Sequence, residues 1–435
     1  MGISYNPSIV TEDLVLALDP QSTRSYVGSG TTWTDLTNRG NNGTLTNGPV
    51  FIPGGPFNNI GGSVYFDGNS DRINIPASSD FNFGTGDFTV EWWQYLPSTP
   101  SEHLTLLSIN YGTNPNFAIQ GNGATSTAYA VYFNGISTSV IEGSSCPLNQ
   151  WVHYAVVRNG SGSNNVKIYR DGVQTGQGTY TGNAGNSSST NYIGGDPTNS
   201  SVDFEGYVSN LRVVKGTALY TAAFTPPTGP LEAIDDTVLL TCQGGAITDN
   251  GPSSHAITIN GDAEAITASA FEFDGSNDYA VTSSNTDFLF GTEEFAMEWW
   301  EYFTGGGGYI GHIGVFDSSN RTPMMWTLSG NFVSYVLPDG WQSVAMSPIS
   351  NQWAHYVVTG TSGDIKFYQN GELKDTTTWN WSATSSTSNF SIACGWGQSW
   401  QMPGKISAVR VYKGKSFTED EVKRNFSALR GRYGI

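Results

Sequence analysis

One long segment occurs twice in this chain, and its duplication limits the folds that the chain can adopt. Residues 66–68 (FDG) and 91–93 (EWW) of the first copy match residues 273–275 (FDG) and 298–300 (EWW) of the second, each 207 residues later. Two landmarks that keep the same separation indicate a true internal repeat. The segment is too long for a solenoid unit, so it predicts two tandem domains of one fold.

Three further landmarks recur in the same order in both copies. Their separation falls from 207 to 198 residues, which is the drift that loop-length changes between fixed strands would give. With the proline-rich junction FTPPTGP at 224–230 taken as a stiff linker, the repeat predicts domains at residues 1–231 and 232–435. The landmarks are NQWVHY (149–154) with NQWAHY (351–356), KIYRDG (167–172) with KFYQNG (366–371), and GYVSNLRVVKG (206–216) with GKISAVRVYKG (404–414).

Within each copy, apolar and polar residues alternate with period two, the pattern of half-buried β-strands. The double-tryptophan strand should place Trp92 toward a core and Glu91, Trp93 and Tyr95 on the opposite face. Asp-Gly turns between such strands, as in FDGNSD and FDGSND, complete an all-β pattern. The exception is a short C-terminal helix that begins at the capping box formed by Thr418 and the glutamate three residues later.

Composition excludes some partners. The chain has 37 acidic against 19 basic residues and a formal net charge of −18, which argues against binding a nucleic-acid backbone or an anionic membrane surface. No apolar run approaches the length of a membrane-spanning helix, and no signal-peptide pattern follows Met1. We therefore expect synthesis in a cytosol.

The order of the landmarks resembles that of the laminin-G-like, concanavalin A-like superfamily. The matching motifs are F-D-G-x-x-D, F-T-x-E-x-W, W-x-H-x-x-x-x-R, I-Y-x-D-G and G-x-x-x-x-x-R-V, and both copies carry nearly all of them. The second copy departs at Gly360, where the first has Arg158, and at Asn370, where the first has Asp171. This resemblance implies two tandem concanavalin A-like antiparallel β-sandwich jelly rolls.

A narrower resemblance lies outside the shared motifs. The opening GISYNPSIVTEDLVLALDP, the junction GTALYTAAFTPPTGPLEAIDDTVLLTCQ and the ending NFSALRGRYGI resemble structural proteins of tailed bacteriophages, particularly those of marine cyanophage type. It implies a non-catalytic structural or decoration protein at the virion surface, assembled in the host cytoplasm. Its partners would be capsid or tail proteins, and particle symmetry would make it multimeric. The alternative is a carbohydrate-binding adhesin that contacts host-surface glycans, and one protein can combine the two roles.

Glucanases share this sandwich, but the catalytic pattern is incomplete. A retaining glycosidase needs two carboxyl groups about 5–5.5 Å apart, and family members place them on one strand as E-x-D-x-x-E. The nearest match is Glu272-Phe-Asp274-Gly-Ser-Asn277, which has an amide at the last position, and the first copy has Tyr65 where the second has Glu272. The sequence therefore predicts no enzyme.

Two sets of residues are candidate sites, each with a structural alternative. The first set would form an aromatic and polar stripe for a sugar ring or a partner, or it could simply pack under a loop or a neighbouring subunit. The second set supplies paired carboxylates that could bind Ca²⁺, although aspartates in such turns also cap the backbone. No cofactor is required. The sets are Glu91, Trp93, Tyr95, His153, Glu298, Trp300, Tyr302 and His355 for a ligand, and Asp67, Asp71, Asp274 and Asp278 for calcium.

Overall fold

The computed structural model contains two antiparallel β-sandwiches and one α-helix among the residues that it describes. The fold class predicted from the repeat and the resemblance is therefore confirmed. The described residues are 8–57, 61–100, 103–110, 117–121, 128–133, 138–197, 202–261, 263–316, 322–336, 340–380 and 389–435.

The chain divides into two compact units, but not at the predicted boundary. The inner unit is continuous and comprises residues 53–267, whereas the outer unit joins residues 268–435 to the segment that precedes residue 53. The predicted domains, 1–231 and 232–435, thus do not coincide with the compact units. Strand pairing is the physical reason, because the opening strand of each copy completes the sandwich of the other copy.

The inner unit consists of two sheets of eight and seven strands. Its first sheet has the order β14-β13-β12-β7-β16-β5-β19, with β17 also paired to β16: β5 (Ser63–Asp67), β7 (Phe88–Tyr95), β12 (Trp151–Arg158), β13 (Val166–Arg170), β14 (Val173–Gly178), β16 (Glu205–Lys215), β17 (Thr237–Thr241) and β19 (Glu264–Ile266). Its second sheet has the order β11-β10-β9-β8-β15-β6-β18: β6 (Arg72–Ile75), β8 (Thr105–Ile109), β9 (Phe117–Gly121), β10 (Tyr129–Phe133), β11 (Thr138–Ile141), β15 (Asn191–Ile193) and β18 (Thr258–Asn260).

The outer unit repeats this topology strand for strand, with β2 as an addition. Its first sheet has the order β29-β28-β27-β22-β31-β20-β4, with β1 also paired to β31: β1 (Leu14–Leu18), β4 (Val50–Ile52), β20 (Ala270–Asp274), β22 (Phe295–Phe303), β27 (Trp353–Thr361), β28 (Asp364–Gln369), β29 (Glu372–Thr377) and β31 (Pro403–Lys413). Its second sheet has the order β2-β3-β21-β30-β23-β24-β25-β26: β2 (Thr32–Trp33), β3 (Gly43–Thr46), β21 (Tyr279–Thr282), β23 (Tyr309–Phe316), β24 (Thr322–Leu328), β25 (Asn331–Val336), β26 (Gly340–Ser343) and β30 (Asn389–Ile392).

A closing segment supplies strands to both sheets of each unit. In the outer unit, β1, β3 and β4 come from the start of the chain and pair with β31, β21 and β20. In the inner unit, β17, β18 and β19 come after all the other strands of the unit, which we call its body, and pair with β16, β6 and β5. The chain order is therefore the closing segment of the outer unit, the whole inner unit, and then the body of the outer unit.

The strands β1 and β17 are protected at the edge that faces away from their sheet partner. Asp35 Oδ1 accepts a hydrogen bond of 2.9 Å from Ala17 N, and Asp249 Oδ1 accepts one of 3.0 Å from Leu240 N. Backbone bonds from the following residues, Leu36 N to Ala17 O and Asn250 N to Leu240 O, complete each edge. Capping of this kind prevents an open strand from pairing with another chain.

The side chains of the double-tryptophan strands, β7 and β22, are oriented as the alternation of apolar and polar residues predicts. Trp92 and Trp299 lie in the two hydrophobic cores, opposite Tyr154 and Tyr356 in the strand register.

One landmark differs between the units for a steric reason. Buried Arg158 donates to backbone carbonyls of residues 84, 86 and 182. Gly360 takes its place in the outer unit, where an added Cβ would approach Asp364 O to 2.0 Å.

The predicted C-terminal helix is α1, Glu419–Leu429, and it carries both hydrogen bonds of the Thr418 capping box. Its buried residues include Val422 and Leu429, so its apolar side closes the outer unit. Arg432, which follows the helix, is buried and paired with Asp19 at 2.8 Å. Within the described part of the chain, no helix is long and apolar enough to span a membrane.

The unit boundaries predict how fragments will fold. Residues 53–267, expressed alone, contain every strand of the inner unit and should unfold in one cooperative transition. Residues 1–231 lack β17 to β19, so the three strands with which these pair, β16, β6 and β5, would expose unpaired backbone and apolar surface. We expect this second fragment to aggregate or to remain partly unfolded. Circular dichroism and urea denaturation would test this, and a cooperative fold of 1–231 with an unstable 53–267 would contradict the assignment.

Candidate functional site

A buried carboxylate lies at the centre of the first sheet of the inner unit. Glu91, on β7, accepts hydrogen bonds from Arg212 Nε at 2.9 Å and from the Tyr220 hydroxyl at 2.9 Å. Nε2 of His153 lies 3.2 Å from Oε2, the oxygen that also accepts from Tyr220, whereas Arg212 donates to Oε1. Glu91 and His153 are both fully buried. Two predicted ligand contacts are therefore brought together, but as members of an internal ion-pair network.

The outer unit builds the same network from its own copy of the motif. Glu298, on β22, accepts a hydrogen bond of 2.8 Å from Arg410 Nη1 and one of 2.9 Å from Asn425 Nδ2. His355 Nε2 lies 3.3 Å from Glu298. Asn425 comes from α1 and also accepts a hydrogen bond from Val10 N at 2.8 Å, so the network joins both ends of the outer unit to its central strands.

The network sets the protonation of the two carboxyl groups. Burial alone would raise the pKa of Glu298, but the hydrogen bond with His355 and the charge of Arg410 outweigh it and lower the pKa to about 2. The pKa of Glu91 is likewise lowered, because His153 and Arg212 outweigh the effect of burial. Both glutamates are therefore ionised at neutral pH, and each holds a guanidinium in the interior.

Aromatic side chains cover both networks. In the inner unit, Tyr220 and Phe224 stack with ring centroids 3.6 Å apart, and both rings contact His153 edge-on. In the outer unit, Tyr433 stacks on Trp300 at 3.9 Å, and Phe426 of α1 lies parallel to the same indole. The predicted stripe is thus closed by the chain itself, which supports the packing interpretation over an open ligand face.

The remaining residues of the predicted stripe also pack against neighbouring side chains. Trp93 is partly exposed and contacts Phe57 and His153, and Tyr95 is buried against Trp151 and Tyr207. Tyr302 is partly exposed, with the ammonium of Lys405 5.3 Å from its ring centroid. Of the eight predicted ligand residues, Trp93 and Tyr302 are partly exposed and the other six are buried.

The four aspartates of the predicted calcium set act as turn caps. Asp67 Oδ1 accepts from Asn69 N at 2.6 Å, and Asp71 Oδ2 accepts from Asp67 N at 2.9 Å. In the outer unit, Asp274 Oδ1 accepts from Ser276 N at 2.7 Å, while burial and the charge of Asp274 raise the pKa of Asp278. The described residues contain no group of three or more His, Cys, Asp or Glu arranged for a metal. The turns do not fit a calcium site as built, and calcium binding stays a prediction.

The outer face of the second sheet of the inner unit carries two tyrosines in one transverse row. Strand register aligns six residues across β18, β6, β15, β8, β9 and β10. The small residues Ser108 and Ala118 separate Tyr192 from Tyr132, and three strand spacings place the tyrosine backbones about 14 Å apart. We call this set the tyrosine row: Thr258, Asn74, Tyr192, Ser108, Ala118 and Tyr132.

The tyrosine row and its neighbours contain unused hydrogen-bonding capacity. Ser108 Oγ, Asn74 Oδ1 and Asn260 Nδ2 are buried, and none has a hydrogen-bond partner among the residues that the structure describes. Tyr132 and Tyr192 are partly exposed. Buried polar atoms without partners are uncommon in folded proteins and call for an explanation such as a bound molecule.

The corresponding face of the outer unit is chemically different. Its row contains Val281, Ser391, Gly314 and Met324 in the register positions of Asn74, Tyr192, Ser108 and Ala118. Trp400 packs on Trp326 with centroids 5.4 Å apart, so the GWGQSW loop folds onto this face. We call this apolar set the tryptophan cluster: Met324, Trp326, Leu328, Val333 and Trp400.

Sequence reasoning missed both the partners of the glutamates and the tyrosine row. Arg212 and Arg410 were visible as part of a repeated motif, and a charge of opposite sign repeated with each glutamate is a signal for an ion pair. For the tyrosine row, alternation in YAVYF (129–133) places Tyr132 opposite the core-facing residues. Its proximity to Tyr192 depends on strand order, which no local pattern shows.

The two-sheet fold, repeated with its buried network, defines the class of lectin-like β-sandwiches. Comparison with known families assigns the chain to the same class. The chain belongs to the Laminin_G_3 family, within the concanavalin A-like lectin/glucanases superfamily, whose model matches residues 67–220 and 274–423. These matches cover more than two thirds of the chain and fall on the bodies of the two units. No curated protein sequence matches the chain.

Several solved structures are similar to part of this chain. The binding domain of botulinum neurotoxin DC, solved with rat synaptotagmin II, is 16% identical and has a TM-score of 0.30 over 37% of this chain and 43% of the toxin chain. The binding domain of Paraclostridial Mosquitocidal Protein 1 is 14% identical, with a TM-score of 0.31 over 42% of this chain and 49% of that chain. A heptameric SAP-like pentraxin from Limulus polyphemus is 11% identical, with a TM-score of 0.34 over 47% of this chain and 94% of that chain. These likenesses concern the fold alone.

Replacement of Glu298 by Gln tests the buried network. The amide removes the negative charge and leaves the guanidinium of Arg410 buried without its counter-ion, which typically costs about 3–5 kcal/mol. Equilibrium denaturation followed by tryptophan fluorescence should show this loss. The matched control is Glu293→Gln, which lies before the same strand but is exposed, and it should change the free energy of unfolding by less than about 0.5 kcal/mol. Equal effects of the two substitutions would contradict the network.

The lowered pKa of Glu298 predicts an acid-dependent loss of stability. A carboxyl group with a depressed folded-state pKa contributes its full stabilisation above the unfolded-state pKa, near the ordinary value of 4.5, and loses it as pH falls toward about 2. The difference in free energy of unfolding between wild type and Glu298→Gln should therefore shrink as pH falls through this window. A difference that stays unchanged down to about pH 2.5 would exclude ionised Glu298 as the source.

Proposed function

We propose that the protein is a carbohydrate-binding adhesin and that its glycan site is the tyrosine row of the inner unit. The observation that carries the proposal is the combination of two partly exposed tyrosines with buried polar atoms that lack partners among the described residues. Membership in a lectin/glucanase superfamily supports it.

The chemistry of the tyrosine row suits a sugar. Pyranose rings present one apolar face, which stacks on an aromatic ring, and hydroxyl groups that need donors and acceptors. Tyr132 and Tyr192 would provide two stacking surfaces, and Asn74, Asn260 and Ser108 would provide the polar contacts. The tyrosine row contains no carboxylate, so the proposed activity is binding without hydrolysis.

The tryptophan cluster makes the two units unequal in this function. The outer unit has Ser391 in the register position of Tyr192 and Met324 in that of Ala118, and Trp400 lies over the buried indole of Trp326. We therefore expect one glycan site in each chain rather than two.

We also propose a location for the adhesin. The resemblance of the opening, junction and ending of the sequence to tailed-phage structural proteins favours a place on the surface of a phage particle. There the chain would contact capsid or tail proteins and present the inner unit to host glycans. Mass spectrometry and immunogold labelling of purified particles would test this, and absence of the chain from intact particles would refute the location without affecting the glycan site.

Substitution of the tyrosines tests the glycan site. A glycan array would first identify a ligand, and calorimetry would then give its affinity and stoichiometry. We expect one site per chain, and we expect Tyr132→Ala and Tyr192→Ala each to weaken binding about tenfold or more, equivalent to about 1.4 kcal/mol for one lost stacking contact.

The matched control is Tyr279→Ala, a partly exposed tyrosine on the second sheet of the outer unit. It should leave affinity unchanged. Retention of full affinity in both inner-unit variants, or loss of affinity only in Tyr279→Ala, would refute the assignment to the tyrosine row.

A further inference from the structure

The outer unit contains a cavity that the lectin fold and the glycan proposal leave unexplained. Its volume is about 390 Å³, within the range of small-molecule sites, and it lies beside β1 and the loop that follows β2. Aliphatic side chains form most of its wall, and Arg410 and Asp19 supply the charged part. The wall residues used below are Ile9, Leu14, Ala17, Leu36 and Arg410.

The two units differ in one residue at the wall of this cavity. Ala17 pairs with Arg410 in the strand register, and Leu240 pairs with Arg212 at the same position of the inner unit. Both residues are buried, and Ala17 also lines the cavity. The outer unit thus has a small side chain where its sister unit has a large one, although both strands carry the same edge cap.

The two arginines also differ in how many hydrogen bonds they make. Arg212 uses Nε and Nη2 for Glu91, and Nη1 for the backbone oxygen of Glu232 at 2.7 Å. Arg410 hydrogen-bonds to the described residues through Nη1 alone, to Glu298. A guanidinium has five N–H donors, so Arg410 has donors that its counterpart uses and that no described residue receives.

The other charged groups around the cavity already have partners. Asp19 accepts hydrogen bonds from Arg432 Nη1 at 2.8 and 2.9 Å through its two oxygens. Glu298 is shared by Arg410, Asn425 and His355. The group that lines the cavity and has unused hydrogen-bond donors is therefore the guanidinium of Arg410, which is a cation. Its planar arrangement of donors matches the geometry of a carboxylate.

We propose that this cavity is a binding site for a small aliphatic carboxylate, with the carboxylate on Arg410 and the hydrocarbon body against Ile9, Leu14 and Leu36. Aliphatic walls favour a chain over a sugar, since the named wall residues include no aromatic ring for stacking. The site is separate from the tyrosine row, which belongs to the other unit.

Filling the cavity tests the proposal without touching the ion pair. Ala17→Leu introduces the residue that the inner unit accommodates at the same position, so the fold should tolerate it. The probes are butanoate, hexanoate and octanoate, observed by saturation-transfer NMR on the full chain, with 1-hexanol as the uncharged analogue. We expect binding of at least one carboxylate, a loss of tenfold or more in Ala17→Leu, and no comparable binding of the alcohol.

Two controls separate this site from others. Ala233→Leu makes the same change at an exposed position of the inner unit and should bind the carboxylate normally. Tyr132→Ala should also bind it normally, so failure of the glycan proposal and failure of this one are distinguishable. The proposal is overturned if none of the three carboxylates binds, if binding persists unchanged in Ala17→Leu, or if hexanol binds as well as hexanoate.

Discussion

Each sandwich depends on an ionised glutamate held beside an arginine in the middle of its first sheet. Two charges in that position are tolerated only where hydrogen bonds and opposite charge replace the water that they have lost. The glutamate of β7 or β22 therefore requires its arginine on the neighbouring strand, a histidine on the other side, and a cover that excludes solvent. In the outer unit, the hydrogen bond from Asn425 makes α1 part of the network as well as its cover.

The need to cover these charges explains the course of two later segments of the chain. The segment after β16 returns over the inner network with Tyr220 and Phe224, and α1 with the following turn returns over the outer one. These covers lie over the glutamate networks on the outer faces of the first sheets, so the proposed glycan site lies on a second sheet instead. The second sheets are free of this requirement, and there the units have diverged, one toward tyrosines and amides and the other toward a tryptophan cluster.

Divergence within a constant fold is the clearest indication of function in this chain. Strand order, edge caps and buried networks are the same in both units, as expected for features that the free energy of folding requires. The tyrosine row, the GWGQSW loop and the exchange of leucine for alanine at residue 17 are not required by the fold, since the sister unit lacks each of them. The two binding sites that we propose lie at such differences.

The sequence by itself determined the fold class, the duplication, the orientation of Trp92 and Trp299 and the capping of α1, because these depend on periodicity, turn chemistry and contacts between near neighbours in the chain. It also identified Glu91, His153, Glu298 and His355 as special, since charges repeated on core strands stand out in any alignment of the copies. Only the tertiary structure decided that these residues are buried and that the units divide at residues 53 and 268. It also decided that Tyr132 and Tyr192 share a row. Each of these outcomes depends on the pairing of strands far apart in sequence, and the alternating pattern is the same whichever sandwich a strand completes.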